Sequence, residues 1–263
     1  MNKTELLNKF ARDGEQRVEL ARVLDQMERS DTRSIPCPTQ FLSPALRAAV
    51  EPMLCACGHP RHQFTGGYEG AERTICVFLP HWLEGSDYDP GEDLAAISAA
   101  FPRQAALTHR DILGGLMGIG ITREKIGDIL MGEHAAQIVC LREALPIIHA
   151  QFDQAGRYPL TLQEIPLSQL TPAPQAVKEI HDTVATLRLD AVVASGFSLS
   201  RSKAAQLITT GRVSVNHREC LKTDRLVEEG DVLTCRGLGK CVLAQVGGQS
   251  RKGRVILTLY RYV

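Results

Sequence analysis

Basic residues at the start of two predicted helices are the groups in this sequence best suited to binding an anion. One short helix is expected to open at Arg188, and Ser200 is expected to cap a second one that begins with Arg201 and includes Lys203. Arg201 and Lys203 then lie in a first helical turn, beside unpaired backbone N–H groups and the positive end of the helix dipole. Cations there are unfavourable for the helix, but a phosphate would accept hydrogen bonds from the N–H groups and from both side chains. The pattern predicts a phosphate-binding surface, and a solvated basic face without a ligand is the alternative.

The charge is distributed unevenly along the chain. Residues 178–263 hold 14 Lys and Arg against 8 Asp and Glu, whereas residues 1–177 hold 16 against 22. A C-terminal part of net charge +6 therefore balances an N-terminal part of −6. This asymmetry favours an anionic partner for the basic part. Because +6 is a moderate excess for 86 residues, charge alone does not separate nucleic-acid binding from chance.

Length and composition indicate an ordinary globular protein. The 263 residues, 44% hydrophobic and 23% charged, are enough for two or three compact units. No stretch approaches the roughly 20 apolar residues of a membrane span, and the N-terminus lacks the apolar core of a signal peptide. We therefore expect a cytoplasmic protein without membrane association, and we predict separately that it is a monomer. Most of the eight cysteines sit in apolar runs, and we expect all of them to be reduced.

One cluster has the residue types of a metal site. Cys55, Cys57, His59 and His62 lie within eight residues of each other. Structural zinc sites use two ligand pairs that are well separated in sequence, and one tetrahedral ion could hardly collect four such close ligands. We predict that these residues bind no metal.

A glycine-rich segment imitates two nucleotide-binding motifs without completing either. His109-Arg110-Asp111 resembles a kinase catalytic loop, but Leu116 stands where that loop needs Asn. Gly115 to Thr122 resembles a phosphate-binding loop, but Ile121 replaces its Lys. We predict no cofactor and expect the segment to pack closely against its neighbours. The nearby cations are a predicted secondary contact for a nucleic-acid backbone: Arg110, Arg123 and Lys125.

Hydrophobic periodicity predicts an α+β fold in four parts. Residues 1–57 form a helical segment whose third helix opens at Ser43-Pro44. Residues 58–170 form an α/β sandwich, for which ferredoxin-like topology is one option. Residues 171–186 comprise a proline-rich linker and a helix from about 175, and residues 187–263 form the basic module. The elements expected in the sandwich are a strand at 74–79, a helix at 90–101, a hairpin of 126–131 and 135–141, a helix at 142–154 and a strand at 158–165.

A set of residues across the basic module matches a known RNA-binding domain. They are Arg188-Leu189-Asp190, Gly196, Ser200-Arg201-Ser202, Ala204, Leu207-Ile208, Gly211-Arg212-Val213, Val215-Asn216 and Gly230-Asp231. They resemble the domain named after the fourth small-subunit ribosomal protein, called here the S-four-type domain. The resemblance implies a platform of two helices on a small twisted sheet that reads the shape and backbone of RNA.

The resemblance also implies which residues contact RNA. Family contacts fall on Arg188, Arg201, Lys203 and Arg212, and Lys222 extends the same positive surface. The family usually has Gly after the Asn of the first hairpin, where this sequence has His217. Because Asn216 tolerates a positive φ, we expect the turn to persist, with both Asn216 and His217 available to RNA.

The glycine-rich segment is similar to the signature of the bacterial YlmH family. The matching residues are 108–121, THRDILGGLMGIGI, and 123–129, REKIGDI. The similarity extends over most of the chain and implies a helical segment, a central domain likened to an RNA-recognition fold, and a C-terminal S-four-type domain. It further implies association with the large ribosomal subunit, where the protein would bridge ribosomal RNA and tRNA. The implied role is rescue of stalled ribosomes, in which a related factor supports untemplated tailing of the nascent chain.

Two other functions remain as alternatives. Arg188-Leu189-Asp190 resembles the active-site triplet of some pseudouridine synthases, which would make the protein an RNA-modifying enzyme or an accessory to one. In those enzymes the triplet lies in a separate catalytic domain, whereas here it opens the binding module, where we expect Asp190 to cap the helix. An RNA-binding module linked to cell division is the second alternative. We predict a non-catalytic RNA-binding protein.

Overall fold

The computed structural model describes residues 2–172 and 176–262, which divide between two compact units on either side of 173–175. The first unit holds three N-terminal helices, a small sheet and a larger sheet with its own helices. The second unit holds two helices on a six-stranded sheet. Within the described ranges, no helix combines the length and apolar character needed to cross a lipid bilayer.

The N-terminal helices are α1 (Lys3–Phe10), α2 (Gly14–Arg33) and α3 (Pro44–Ala56). The predicted start of the third helix is confirmed, because Ser43 Oγ accepts from the Leu46 amide at 3.2 Å and Pro44 occupies the first helical position. Their apolar faces meet in one core that includes Leu20, Val50 and Met53.

A small antiparallel sheet packs on these helices. It consists of β1 (Cys37–Pro38), β2 (His62–Thr65) and β3 (Ile75–Phe78), in the order β1-β3-β2. The strand predicted at 74–79 is confirmed as a strand, but its assignment to the central sandwich is wrong. Cys76 and Phe78 face the N-terminal helices, whereas Ile75 and Val77 face the opposite side. Both faces of β3 are therefore buried, which explains its uninterrupted apolar sequence.

The central domain has the βαββαβ order and sheet order of a ferredoxin-like fold. The elements are β4 (Leu94–Ala100), α4 (His109–Gly118), β5 (Ile126–Met131), β6 (Ala135–Leu141), α5 (Leu145–Gln151), β7 (Gln154–Ala155), β8 (Tyr158–Pro159) and β9 (Thr161–Ile165). The sheet order is β5-β6-β4-β9, with every neighbouring pair antiparallel. Helices α4 and α5 cover one face, where Ile112 and Leu116 meet Ile97 and Ile138 in a common core.

The helix predicted at 90–101 is wrong, because this segment supplies the strand β4 after a single 3-10 turn. Its alanine-rich sequence has a high helix propensity, but pairing and burial decide its structure. Ala95 and Ile97 lie under the helices, and Leu94 and Ala96 are buried on the other face. Small side chains allow both layers to approach this central strand.

The first helix of the central domain is instead α4, within the glycine-rich segment. The close packing expected of this segment is confirmed at Gly115, where a Cβ would lie 2.7 Å from the Phe152 ring. The adjacent Gly114 faces open space. Glycine is therefore needed at only one of these two positions for packing.

The second unit contains the predicted helices and hairpin strands of the basic module. Helices α6 (Leu189–Gly196) and α7 (Arg201–Thr209) share a core with the sheet, including Val193, Ile208 and Leu233. The strands of the sheet are β10 (Val177–Val184), β11 (Val213–Val215), β12 (Arg218–Glu219), β13 (Val232–Cys235), β14 (Gly239–Gln249) and β15 (Val255–Tyr262). Their order in the sheet is β10-β15-β14-β13-β11-β12.

The helix predicted at about 175–186 is also wrong, because this segment forms β10. Val177, Ile180 and Val184 have a spacing that suits a helix, but the strand pairs with β15 from Val177↔Tyr262 to Val184↔Val255. It is the edge strand of the sheet, so most of its side chains are exposed and their pattern is a weak signal of structure. Residues 173–175, which include the end of the predicted linker and the start of this segment, lie outside the described residues.

Candidate nucleic-acid interface

A buried carboxylate holds two of the predicted RNA-binding arginines. Arg188 donates from Nε to Asp190 Oδ1 and from Nη2 to Oδ2, both at 3.2 Å. Arg201 donates from Nε to Oδ2 at 3.1 Å and from Nη2 to Oδ1 at 3.3 Å. The side chain of Asp190 is only 8% exposed, against 36% for Arg188 and 56% for Arg201. Two guanidinium groups are thus fixed side by side by one anion.

This arrangement corrects the role expected for Asp190. Arg188 occupies the N-cap position of α6 and makes no side-chain cap bond, and Asp190 lies in the first turn of the helix. Burial opposes ionisation of Asp190, but the hydrogen bonds and charges of the two arginines outweigh it and lower the pKa of the carboxyl. The sequence pattern placed an acidic group correctly at the start of the helix, but it gave no signal of the partner eleven residues further on.

The arginine pair keeps donors for a ligand. Each guanidinium uses its Nε and Nη2 atoms for Asp190, and in the described ranges neither Nη1 has a hydrogen-bond partner. The cluster carries two positive charges against one negative charge. Because Asp190 already fixes both side chains, a phosphate bound to them would cost less side-chain entropy than one bound to two mobile arginines.

Only one of the two helix N-termini is open. The amides of Leu189 and Asp190 at the start of α6 donate to the carbonyls of Arg225 and Thr223, at 2.8 and 3.1 Å. At the start of α7, Ser200 Oγ accepts from the Lys203 amide at 3.3 Å. No acceptor among the described residues is recorded for the amides of Arg201 and Ser202, which precede it. An anion would therefore bind at α7, next to the arginine pair.

The other predicted contacts fall into two groups. Lys203 is exposed in the first turn of α7, and Lys222 is exposed in the loop whose Thr223 carbonyl accepts from Asp190. Both therefore lie near the arginine pair. Arg212 follows the other end of α7, about 13 Å away by helix length, and donates from Nη2 to the Arg236 carbonyl at 3.0 Å.

The expected turn at Asn216 and His217 is confirmed by positive φ angles of 49° and 61°. Asn216 donates to Asp231 Oδ1 at 2.7 Å and accepts from the Val232 amide at 2.9 Å. Its amide group therefore holds the hairpin together and is occupied within the fold. His217 lies beside it in the same turn, far in sequence from the first turn of α7.

Two exposed residues near the start of α6 join the candidate interface without a signal in the sequence. Arg225 is exposed, and its carbonyl closes the start of α6. Leu226, 67% exposed, forms an isolated bridge with Arg188 and adds an apolar edge to the site. Neither position stands out from spacing, because both lie in an irregular loop that only tertiary structure brings to α6.

Part of the central sheet is covered on the face opposite α4 and α5. Leu94 and Ala96 on that face are buried in one cluster with Val77. Toward the other end of the same face, Ala100 and Gln163 are exposed. Single-stranded RNA that stacks on an exposed sheet, as on RNA-recognition domains, would therefore find only this end open, and neither of these two side chains is aromatic.

The three secondary cations of the central domain differ in their engagement. Arg123 donates from Nη1 to the carbonyls of Ile126 at 2.8 Å and Gly127 at 3.1 Å, and burial lowers its pKa. Lys125 pairs with Glu143 at 3.0 Å. Arg110 is exposed on α4. Arg123 and Lys125 are therefore engaged in contacts within the protein. Of the three cations, Arg110 is the best placed to contact an RNA backbone.

The cysteine and histidine cluster also has a structural explanation. His62 Nδ1 lies 2.6 Å from the Pro60 carbonyl, and its ring packs edge-on against Phe64 at 5.4 Å. In the portions of the chain that the structure describes, no three His, Cys, Asp or Glu residues are grouped so as to hold a metal ion.

Comparisons with known proteins agree with this architecture. Residues 93–169, from β4 to the end of the central domain, match the model described as "Putative RNA-binding domain in YlmH", and residues 187–233 match the S4 domain. The "Ribosome-associated protein quality control protein P2" of Bacillus subtilis (strain 168) is 37% identical over 201 residues, which are 75% of this chain and 77% of that protein.

A solved structure has a similar fold. It is "Cell division protein ylmH from Streptococcus pneumoniae", with a TM-score of 0.50 and 22% identity over 60% of this chain and 94% of that chain. At this identity the likeness concerns the fold alone. The identity to the Bacillus protein, together with the match to the YlmH domain, shows that the chain belongs to the YlmH family.

Proposed function

We propose that this protein is a non-catalytic RNA-binding factor that associates with the large ribosomal subunit. It contacts ribosomal RNA and tRNA in the cytoplasm during the rescue of stalled ribosomes, and so supports tailing of the nascent chain. The name of the Bacillus relative supports a role in ribosome-associated quality control. The observation that carries the proposal is the pair of arginines fixed by Asp190 beside the open N-terminus of α7.

The geometry suits the binding of an RNA phosphate. Its oxygens would accept from Nη1 of Arg188 and Arg201 and from the first amides of α7, as charge-assisted hydrogen bonds. Lys203 and Lys222 would contact neighbouring phosphates, and Arg212 would lie about two helical turns further along. Such contacts read the position of phosphates in a folded RNA, so shape selects the target more than base sequence does.

The same geometry counts against an RNA-modifying enzyme. In the rival interpretation, the aspartate of Arg188-Leu189-Asp190 would have to reach a base as a reactive group. Here both oxygens of Asp190 accept two hydrogen bonds each, and the side chain is 8% exposed. Because both carboxylate oxygens are occupied by hydrogen bonds from two arginines, Asp190 is positioned as their counterion and not as a reactive group.

The proposal is tested by UV crosslinking of the tagged protein in cells, followed by sequencing of the attached RNA. The test variant is Arg201→Ala/Lys203→Ala, which leaves the Arg188–Asp190 pair in place; we call it the α7 variant. The control is Arg12→Ala/Lys178→Ala, which removes two exposed cations remote from α7 in sequence. We expect crosslinks on large-subunit ribosomal RNA and tRNA in the wild type and the control, and their loss in the α7 variant. Crosslinks scattered over messenger RNA, or undiminished in the α7 variant, would contradict the proposal.

A further inference from the structure

The excess positive charge of the second unit lies outside its helices. Residues 178–231 hold 8 Lys and Arg and 8 Asp and Glu, so this part is neutral. Residues 232–263 hold six cations and no acidic residue. The whole surplus of +6 therefore belongs to the last three strands and their turns. The six cations are Arg236, Lys240, Arg251, Lys252, Arg254 and Arg261.

Half of these cations lie in the turn that joins β14 and β15. Strand β13 pairs with β14 only as far as Val242, and further along β14 pairs with β15 alone, with two register shifts before Gln249. The turn, residues 250–254, therefore forms the tip of an extended hairpin. Arg251 and Lys252 are exposed, and no ion pair of either is found among the residues that the structure describes. The tip is thus a strongly basic surface without internal neutralisation.

The base of the tip is fixed. Arg254 donates from Nε to Thr183 Oγ1 at 3.0 Å and from Nη2 to the Thr183 carbonyl. The amide of Val246 donates to Glu229 Oε2 at 2.8 Å, which ties the hairpin to the loop before β13. Arg251 and Lys252 therefore lie at the tip of a hairpin that is anchored to the rest of the second unit.

The tip lies at the end of β10 from which the chain continues to Arg188. Val255, directly after the turn, pairs with Val184. Arg188 is four positions after Val184 in the chain, a span of at most about 14 Å. A folded RNA bound at Arg188 and Arg201 would therefore pass within reach of the tip.

We propose that the tip of the β14–β15 hairpin, through Arg251 and Lys252, is a second contact for the RNA backbone. This inference rests on the proposed function and enlarges its interface. The tip lies beyond residues 187–233, the part that matches the S4 domain. Its two cations would bind phosphates independently of base sequence. Gly248 in β14 and Gly253 in the turn both face open space, so the backbone there adds no side-chain bulk that would hold the RNA away.

The test is a salt titration of binding, using the full chain and a fluorescently labelled stem-loop of large-subunit ribosomal RNA. Anisotropy gives the affinity at each salt concentration. We expect Arg251→Ala/Lys252→Ala to weaken binding roughly tenfold at 0.1 M salt, and to reduce the slope of log affinity against log salt by about one to two. Arg251→Glu/Lys252→Glu should weaken binding further. Arg12→Ala/Lys178→Ala should match the wild type in slope, and the melting temperature should not change, because the tip is exposed.

The outcomes separate this inference from the proposed function. If the wild type does not bind the RNA at all, the proposed function fails. If the α7 variant loses affinity while both tip variants bind like the wild type, the hairpin contact is wrong and the proposed function stands. An equal loss in the tip variants and in Arg12→Ala/Lys178→Ala would mean that only net charge matters, which would also overturn the hairpin contact.

Discussion

Arg201 Nε lies 3.1 Å from Oδ2 of Asp190, a residue of the other helix of the pair. This bond joins the start of α7 to the start of α6, and Arg188 completes it from the residue before α6. A group that would bind RNA therefore also connects the two helices. Binding and stability at this site are coupled, and substitutions must be chosen to separate them.

We expect Asp190→Asn to destabilise the second unit. The neutral amide cannot accept four hydrogen bonds from two guanidinium groups, and both arginines lose their counterion. The arginines are partly exposed, so the cost should be smaller than for a fully buried pair, about 1–3 kcal/mol. The loss of stability should appear as faster amide hydrogen exchange at residues 187–210 in Asp190→Asn than in the wild type. Exchange as slow as in the wild type would show that the ion cluster does not hold the helices together.

The stabilisation by Asp190 should depend on pH. Its pKa is lower in the folded chain than its ordinary value of 3.8, so the unfolded chain takes up a proton first as the pH falls. The contribution is present in full well above pH 3.8 and is lost as the pH falls through the folded pKa. Thermal melts of the wild type and Asp190→Asn should therefore differ by a constant amount at neutral pH and converge below about pH 4. A difference that persists unchanged into strong acid would contradict an ionised Asp190.

Arg201→Lys should rescue only part of the function lost in Arg201→Ala. A lysine can place one charge near the phosphate, but it cannot form the two-atom contact with Asp190 and donate to a ligand in the same plane. We expect RNA affinity in the order wild type, Arg201→Lys, Arg201→Ala, with about 1–3 kcal/mol between the first and the last. Affinity is measured by anisotropy at one fixed salt concentration. Equal binding by the lysine variant and the wild type would indicate a point-charge contact.

Substitution of Gly115 tests how closely α4 packs against Phe152 in the central domain. In Gly115→Ala, the new methyl group would lie 2.7 Å from the buried Phe152 ring, and the resulting overpacking should cost roughly 1–3 kcal/mol, offset in part by better helix propensity. Gly114→Ala is the matched control, since that position faces open space and the substitution should stabilise α4 by about 0.5–1 kcal/mol. Thermal unfolding followed by Trp82 fluorescence measures both. The same sign of change for both variants would contradict the packing of α4 on Phe152.

Arg110 and Arg123 should behave differently when they are replaced. Arg123→Ala removes donors to two backbone carbonyls and is expected to lower the melting temperature of the first unit. Arg110→Ala should leave it unchanged, because Arg110 is exposed. A loss of RNA affinity in Arg110→Ala would support the secondary contact proposed for the central domain. Wild-type affinity in that variant would remove the contact.

Local signals in the sequence predicted those elements whose ends are determined locally. Ser43 and Ser200 cap helices as expected, and Asn216 adopts the positive φ of the hairpin turn. The order of the central α/β elements was also predicted, although its first strand and first helix were misplaced. In β4 and β10, pairing with strands far along the chain overrides the helical tendency of the sequence.

The candidate site could be predicted in its residues but not in its geometry. Arg188 and Arg201 follow from the family resemblance, whereas their shared carboxylate depends on the packing of α6 against α7. The closed N-terminus of α6 depends on the loop at Thr223 and Arg225, which has no periodic pattern. The covered part of the central sheet likewise depends on β3, whose apolar sequence fits either of two sheets.

Binding of the ribosome by the arginine site at α7 is tested most directly by sedimentation of the purified protein with purified large ribosomal subunits. The wild type, the α7 variant (Arg201→Ala/Lys203→Ala) and the control Arg12→Ala/Lys178→Ala are compared at the same salt concentration. We expect the wild type and the control to pellet with the subunits, and the α7 variant, folded as judged by its melting transition, to stay in the supernatant. A folded α7 variant that pellets as fully as the wild type would show that the arginine site at α7 does not bind the ribosome.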